Sequence, residues 1–134
     1  NLFEDIEGGN SFTEIAAYFK KKFKLPESVS EIMNEWTKMV ARHYKTDVKL
    51  KSGVRELLEF LKTKNVKMGI GTSNNEFLTR TVLKANGILK FFDSIVIGSD
   101  KIKGKPFPDI FLRVAEELNS APEKCLVIED VLVG

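Results

Sequence analysis

The sequence predicts an α/β domain: a parallel sheet with helices on both faces, preceded by a purely helical segment. Three observations predict it. Up to about residue 48 the apolar residues recur at helical spacing, with no strand-like run. From about residue 49, short apolar runs alternate with amphipathic stretches, the pattern of a parallel sheet buried on both sides. Finally, the run Val66-Lys67-Met68-Gly69-Ile70 gives way abruptly to Gly71-Thr72-Ser73-Asn74-Asn75. That change places hydroxyls, amides and free backbone N–H groups at a sheet's carboxyl edge, where open α/β sheets bind ligands.

In the helical part, Ser11-Phe12-Thr13-Glu14 and Ser28-Val29-Ser30-Glu31 both fit a capping box, in which a hydroxyl and a carboxylate satisfy orphan N–H groups reciprocally. Pro26 separates the two helices. After the second box, Ile32, Met33, Trp36, Met39, Val40 and Tyr44 form one apolar stripe. His43 lies at the edge of that stripe and is read as structural rather than as a ligand. Next, Val54, Leu57, Leu58 and Leu61 mark a helix ended by Lys62-Thr63-Lys64-Asn65. A strand is expected at 66–71 and a helix at about 75–86, stopped by Asn86-Gly87. The β-branched run Ile95-Val96-Ile97 reads as a second strand. A helix beginning near Asp109, which is read as its cap, uses Phe111, Leu112, Val114, Ala115 and Leu118. Leu126-Val127-Ile128 completes the set as a third strand.

Composition narrows the function. The chain has 134 residues, 43% of them hydrophobic and 30% charged, ordinary values for one globular domain with a small appended one. A formal charge of +2 with scattered lysines argues against a nucleic-acid partner. The run Lys20-Lys21-Lys22 reads as a solvated helix end. The single cysteine, Cys125, excludes an internal disulfide framework, and its place at the start of an apolar run suggests a buried, inert thiol. No apolar stretch approaches the ~20 residues that span a bilayer. A reducing cytoplasm, with no membrane and no nucleic acid as partner, is the expectation.

Three segments carry chemistry. The Thr72 hydroxyl stands where a strand becomes a turn, placed to donate to a phosphoryl oxygen; Asn74 and the backbone N–H groups of Ser73 and Asn74 are placed to hold the others. These residues also suit a helix cap, and the two uses are compatible. In Gly104-Lys105-Pro106-Phe107-Pro108-Asp109, prolines stiffen the loop that holds Lys105, a cation suited to neutralising charge on a transferring phosphoryl group. Lys101 and Lys103 are read as solvated. Leu126-Val127-Ile128-Glu129-Asp130 ends in two carboxylates, the donor type that Mg²⁺ prefers alongside water and substrate oxygens.

In this order and spacing the three segments resemble the motifs of the haloacid dehalogenase-like superfamily, and within it the β-phosphoglucomutase-like phosphatases with a helical cap. Gly71-Thr72-Ser73-Asn74 is similar to the second motif, Gly104 to Asp109 to the third, and Val127-Ile128-Glu129-Asp130 to the fourth. Gly8-Gly9-Asn10-Ser11 resembles the substrate-facing cap loop, and Gly53-Val54-Arg55-Glu56-Leu57-Leu58 the return into the core. The resemblance implies a Rossmann-like core at 49–134 and a helical cap at 1–48. It implies that Thr72 binds the phosphoryl group, Lys105 stabilises the charge on nucleophile and phosphate, and Asp130 binds Mg²⁺. Glu129 would bind the metal directly or through water, and Asn10 would help the cap select a leaving group. Two departures stand out: Ser52 where a proline is common, and Val131 where a serine usually follows the acidic pair.

The chemistry of that superfamily begins with an Asp-x-Asp pair after the central strand, one aspartate attacking phosphorus and the other moving the proton. The aspartates here are Asp5, Asp47, Asp93, Asp100, Asp109 and Asp130, and no two are so spaced. The chain is therefore expected to be an internal piece of a longer protein whose nucleophile lies upstream, inactive alone. Its sheet would lack the central strand, leaving backbone edges unpaired. The function expected of the whole is a Mg²⁺-dependent phosphatase acting on a small phosphorylated metabolite through an aspartyl-phosphate. The alternatives are a sugar-phosphate mutase, against which Gly9 and Asn10 offer little cationic grip for a second phosphate, and a non-catalytic domain that keeps the phosphate- and metal-binding edge. A dehalogenase suits the acidic metal pair less well.

Overall fold

The computed structural model describes residues 12–98, 103 and 105–129. The chain divides into two compact units, Asn1–His43 and Tyr44–Gly134.

The first unit is built on helix α1, Phe12–Phe23, and most of helix α2, Val29–Thr46. Phe12, Ala16, Phe19 and Phe23 fall at alternating four- and three-residue steps, so α1 presents one apolar stripe. Ala16 is fully buried, and Trp36 of α2 meets Phe12 at 5.6 Å and Phe19 edge-on at 5.3 Å between ring centroids. The capping box at Ser28 forms as expected. The Ser28 N–H donates to Glu31 Oε2 at 2.8 Å, and the Glu31 N–H donates to Ser28 Oγ at 3.2 Å. Ser11 of the other box lies outside the described residues. The lysine run differs from expectation at its first member. Lys20 is half-buried, and its ammonium gathers the carbonyls of Leu25, Pro26 and Glu27, closing the interhelical loop around itself. His43 is exposed on the last turns of α2.

The second unit holds the sheet. Helix α3, Val54–Thr63, leads to strand β1, Gly69–Thr72, then helix α4, Glu76–Ala85, a 3-10 turn at Leu89–Phe91, strand β2, Ser94–Ile97, and helix α5, Asp109–Glu117. The strands β1 and β2 pair in parallel, Gly69 opposite Ser94 and Thr72 opposite Ile97. One face of the sheet packs Met68, Ile70 and Ile95 against Leu58 of α3, Leu83 of α4, Ile88 and Phe91. On the other face β1 presents only Gly69 and Gly71, beside Ser94 and Val96 of β2. A Cβ on Gly69 would stand 2.4 Å from Val114 Cγ1, and one on Gly71 would stand 3.3 Å from Ile110 Cγ1, so α5 occupies the space those side chains would need.

Several boundaries move for identifiable reasons. Strand β1 starts at Gly69 rather than 66 because the Val66 N–H returns to Leu61 O at 3.1 Å and finishes α3 instead. Asp93 then clasps the entry to the sheet: its carboxylate accepts from the Met68 N–H at 3.0 Å while its own N–H donates to Met68 O at 2.7 Å. Leu57 is exposed, so the α3 stripe is narrower than its spacing suggested. Asp109 is the first helical residue of α5 and makes no cap; Pro108 precedes it, and its carbonyl accepts from the Leu112 N–H at 2.9 Å. The expected third strand does not form among the described residues. Cys125 has extended dihedrals, φ −101° and ψ 140°, but Leu126, Val127 and Ile128 are exposed and form no ladder, because a strand exists only where a neighbour takes its backbone groups. Cys125 is correspondingly exposed rather than buried, its thiol against Ala121 O at 3.4 Å.

Two measurements check this packing. Gly69→Ala places a methyl on the stiff, β-branched Val114, so urea denaturation is expected to show a loss of about 1–3 kcal/mol; an unchanged midpoint would mean that α5 does not seat there. The Glu31 carboxyl is held below its ordinary value, first by the Ser28 hydroxyl and then by the Ser28 N–H, against desolvation, with the smallest contribution an attraction to Lys20. A depressed carboxylate stabilises the fold above its unfolded pKa and loses that contribution as pH falls through the folded one. An NMR titration is expected to find the Glu31 carboxyl titrating below the ordinary value for a glutamate, and the start of α2 loosening only in that acidic window.

Candidate active site

The carboxyl edge of the two-stranded sheet is organised around Thr72. Its carbonyl accepts from the Gly98 N–H at 2.7 Å, tying the ends of both strands together. Its hydroxyl oxygen accepts from the Asn74 N–H at 3.1 Å, which closes the turn and leaves the Thr72 O–H to donate elsewhere. This differs from the expected use of the Asn74 backbone N–H toward a ligand, since that donor is engaged inside the turn. The Asn74 side chain is fixed at both ends: Oδ1 accepts from the Asn75 N–H at 2.9 Å and Nδ2 donates to Tyr44 Oη at 3.2 Å. Asn75 is the cap of α4, its Oδ1 accepting from the Leu78 N–H at 2.8 Å. Ser73, between these residues, is exposed.

Lys105 is linked to β1 through Phe111 of α5. Its ammonium lies 4.9 Å from the centre of the Phe111 ring and 2.6 Å from Glu129 Oε1. Phe111 in turn abuts the strand, since a Cβ on Gly71 would meet Phe111 Cδ1 at 3.4 Å. An unbroken set of contacts thus runs from the residue before Thr72 through Phe111 to Lys105 and Glu129. The Lys105 and Glu129 side chains are 20% and 28% exposed, so salt screens their attraction less than it would a surface pair. The Lys105-Pro106 peptide bond is cis. Lys103, the competing cation, is exposed and lies over Phe107 at 5.1 Å.

The structure therefore brings together Thr72, Ser73 and Asn74 in one turn, and Lys105 with Glu129 beside the strand that leads into it. Asn10, Gly104, Lys101, Asp130 and Val131 lie outside the described residues. Among the described residues, no group of three or more His, Cys, Asp or Glu side chains gathers as a metal site. A shallow cavity of about 350 Å³ lined by Lys84, Gly87, Leu89 and Lys90 sits at the far end of α4 from Asn75 and takes no part in this edge. Phe111 and Tyr44 were legible in the sequence only as apolar stripe residues. Their place against Lys105 and Asn74 depends on contacts 6 and 30 residues apart, and spacing carries no signal for the second.

The profile of the haloacid dehalogenase-like hydrolases matches residues 8–134. The chain belongs to that family. A phosphorylated carbohydrates phosphatase of Thermotoga maritima is 43% identical over 82 residues, 61% of this chain and 38% of the relative. A bifunctional riboflavin kinase/FMN phosphatase of Arabidopsis thaliana is 30% identical over 94% of the chain and 33% of its own length. Among solved structures, a candidate β-phosphoglucomutase of Thermotoga maritima superposes with a TM-score of 0.70 at 31% identity, covering 87% of this chain and 54% of that one. The phosphate complex of CbbY from Rhodobacter sphaeroides gives a TM-score of 0.77 at 22% identity, covering 91% of this chain and 57% of that one, and shares the fold. The chain thus spans about a third of the length of these two curated relatives and just over half of the solved ones. Its incomplete sheet and helical segment belong to the α/β, Rossmann-like architecture of this family.

The cap of α4 is open to a direct test. Asn75→Ala removes the acceptor for the Leu78 N–H and is expected to cost about 1 kcal/mol in chemical denaturation, whereas Asn75→Asp or Asn75→Ser should retain most of the stability. An alanine variant as stable as the parent would mean that the turn does not hold α4 in this way.

Proposed function

We propose that this chain supplies the phosphoryl-binding edge of a phosphatase that acts on a small phosphorylated metabolite. The observation that carries the proposal is Lys105, braced between Phe111 and Glu129 beside the end of β1, where Thr72 keeps a hydroxyl proton to donate. A fixed cation and a fixed donor, brought to one phosphoryl group, would meet the charge developing on its oxygens without reorganisation.

In this reading the Thr72 O–H donates to one phosphoryl oxygen, and the Ser73 N–H and the Asn74 side chain hold others. The Lys105 ammonium balances negative charge on the phosphoryl group and on the attacking carboxylate, which comes from sequence outside this chain. That carboxylate displaces the leaving alcohol at phosphorus, and water then cleaves the acyl-phosphate to release inorganic phosphate and restore the carboxylate. Asn10 is assigned to the leaving group, with residues 1–48 taken as the helical cap and 49–134 as the core.

Magnesium fits the donor chemistry. The Glu129 carboxylate offers hard oxygen, and a hard cation of this size takes one or two carboxylates while keeping water and substrate oxygens. Asp130, the next residue, would be the second protein ligand, and Lys105 would keep Glu129 oriented toward it. The bound ion would supply further neutralisation of the phosphoryl charge. The cytoplasm is kept as the proposed setting; among the described residues, no helix is long and apolar enough to cross a membrane.

Hydrolysis is preferred to transfer because the relatives at 43% identity and at 94% coverage are named as phosphatases, while a β-phosphoglucomutase of Bacillus subtilis is 38% identical over 61% of the chain. The test is Lys105→Ala in the protein at its full natural length, assayed for phosphate release from a panel of sugar and nucleotide phosphates. The turnover number is expected to fall by about two to three orders of magnitude, with the folded state intact by circular dichroism. Activity near the parent level would overturn the assignment of Lys105.

A further inference from the structure

Asn74 is held more firmly than a residue of a phosphate-binding turn needs to be for its own fold. Its backbone N–H is committed to Thr72 Oγ1 and its Oδ1 to the Asn75 N–H, and these local bonds already define the turn. The Nδ2 bond to Tyr44 Oη is different in kind, since it reaches 30 residues back to the last turn of α2. With Oδ1 committed to Asn75, the amide has its NH₂ toward Tyr44 and cannot flip without breaking two bonds at once. Among the described residues, Tyr44 takes one of the two Nδ2 hydrogens, so the other remains to donate.

We infer that Tyr44 is a positioning residue: its hydroxyl, acting as acceptor, orients the Asn74 amide so that the second Nδ2 hydrogen is presented to the anion. Both partners lie in the same compact unit, and both side chains are half-buried, where a hydrogen bond is less readily replaced by water. The inference rests on the assignment of Asn74 to substrate. It adds that the aromatic residue closing α2 sets the donor geometry of the turn, a role that an apolar stripe position would not have.

The test uses the protein at its full natural length, with inorganic phosphate as the probe, followed by calorimetric titration. Three variants are compared with the parent: Tyr44→Phe, Asn74→Ala and the double substitution. Tyr44→Phe removes one oxygen and keeps the ring, so its thermal midpoint should stay close to the parent's. Phosphate affinity is expected to fall about fivefold in Tyr44→Phe, the size of one hydrogen bond, and at least as much in Asn74→Ala. The double variant should be no worse than Asn74→Ala, because the tyrosine acts only through the amide. In ¹⁵N-labelled protein, the Asn74 side-chain amide pair should also shift in Tyr44→Phe. If Asn74→Ala weakens phosphate but Tyr44→Phe leaves affinity and the amide signals in place, the inference fails and the proposed function stands. Losses that multiply in the double variant overturn it equally. A parent that does not bind phosphate, or an Asn74→Ala variant that binds it as before, overturns the assignment of Asn74 together with the inference.

Discussion

The architecture depends on one steric concession, the missing side chains at Gly69 and Gly71. Helix α5 can lie against β1 only because nothing projects from that face of the strand. That close seat sets the position of Phe111, which carries the Lys105 ammonium, which in turn holds Glu129. The glycines therefore act on the candidate site from a distance through packing, by the side chains they lack. The opposite face is conventional by comparison: Met68, Ile70 and Ile95 fill a cluster with residues from α3 and α4, and substitutions of similar volume there should perturb stability more than geometry.

The two carboxyl-edge elements are stabilised by different means. The turn after β1 is a local hydrogen-bond network, closed over Thr72, Asn74 and Asn75, and continuous with the cap of α4. The Lys105–Glu129 pair is tertiary, linking a loop before α5 with an extended segment after it. Among the described residues, 125–128 make no ladder, so Glu129 owes its place to Lys105 more than to any strand. Cation and carboxylate consequently form one unit, and removing either should displace the other.

Much of this was legible beforehand, for reasons that can be traced to particular residues. Apolar period and capping chemistry located the helices, since Ser28-x-x-Glu31 and Asn75 act through neighbours in sequence. The family-like segments around Thr72, Lys105 and Glu129 were recognisable because each combines a strand end or a stiffened loop with a polar group. What escaped was whatever depends on a partner. Leu126-Val127-Ile128 has strand composition, yet pairing is a property of two segments, and composition describes one. Cys125 was misjudged with it, as burial follows from pairing. Asp109 looked like a cap, but Pro108 already supplied the residue before the helix. Lys20 looked like bulk surface charge, although a loop of the right length brought its carbonyls within reach.

The closed turn at Thr72–Asn75 has a consequence for kinetics. A loop whose donors and acceptors satisfy one another keeps its shape without a guest, so little conformational entropy remains to be lost when an anion arrives. Under the proposed function, encounter should then be limited by diffusion and desolvation instead of by loop reorganisation, and any discrimination among phosphorylated compounds would arise outside this turn.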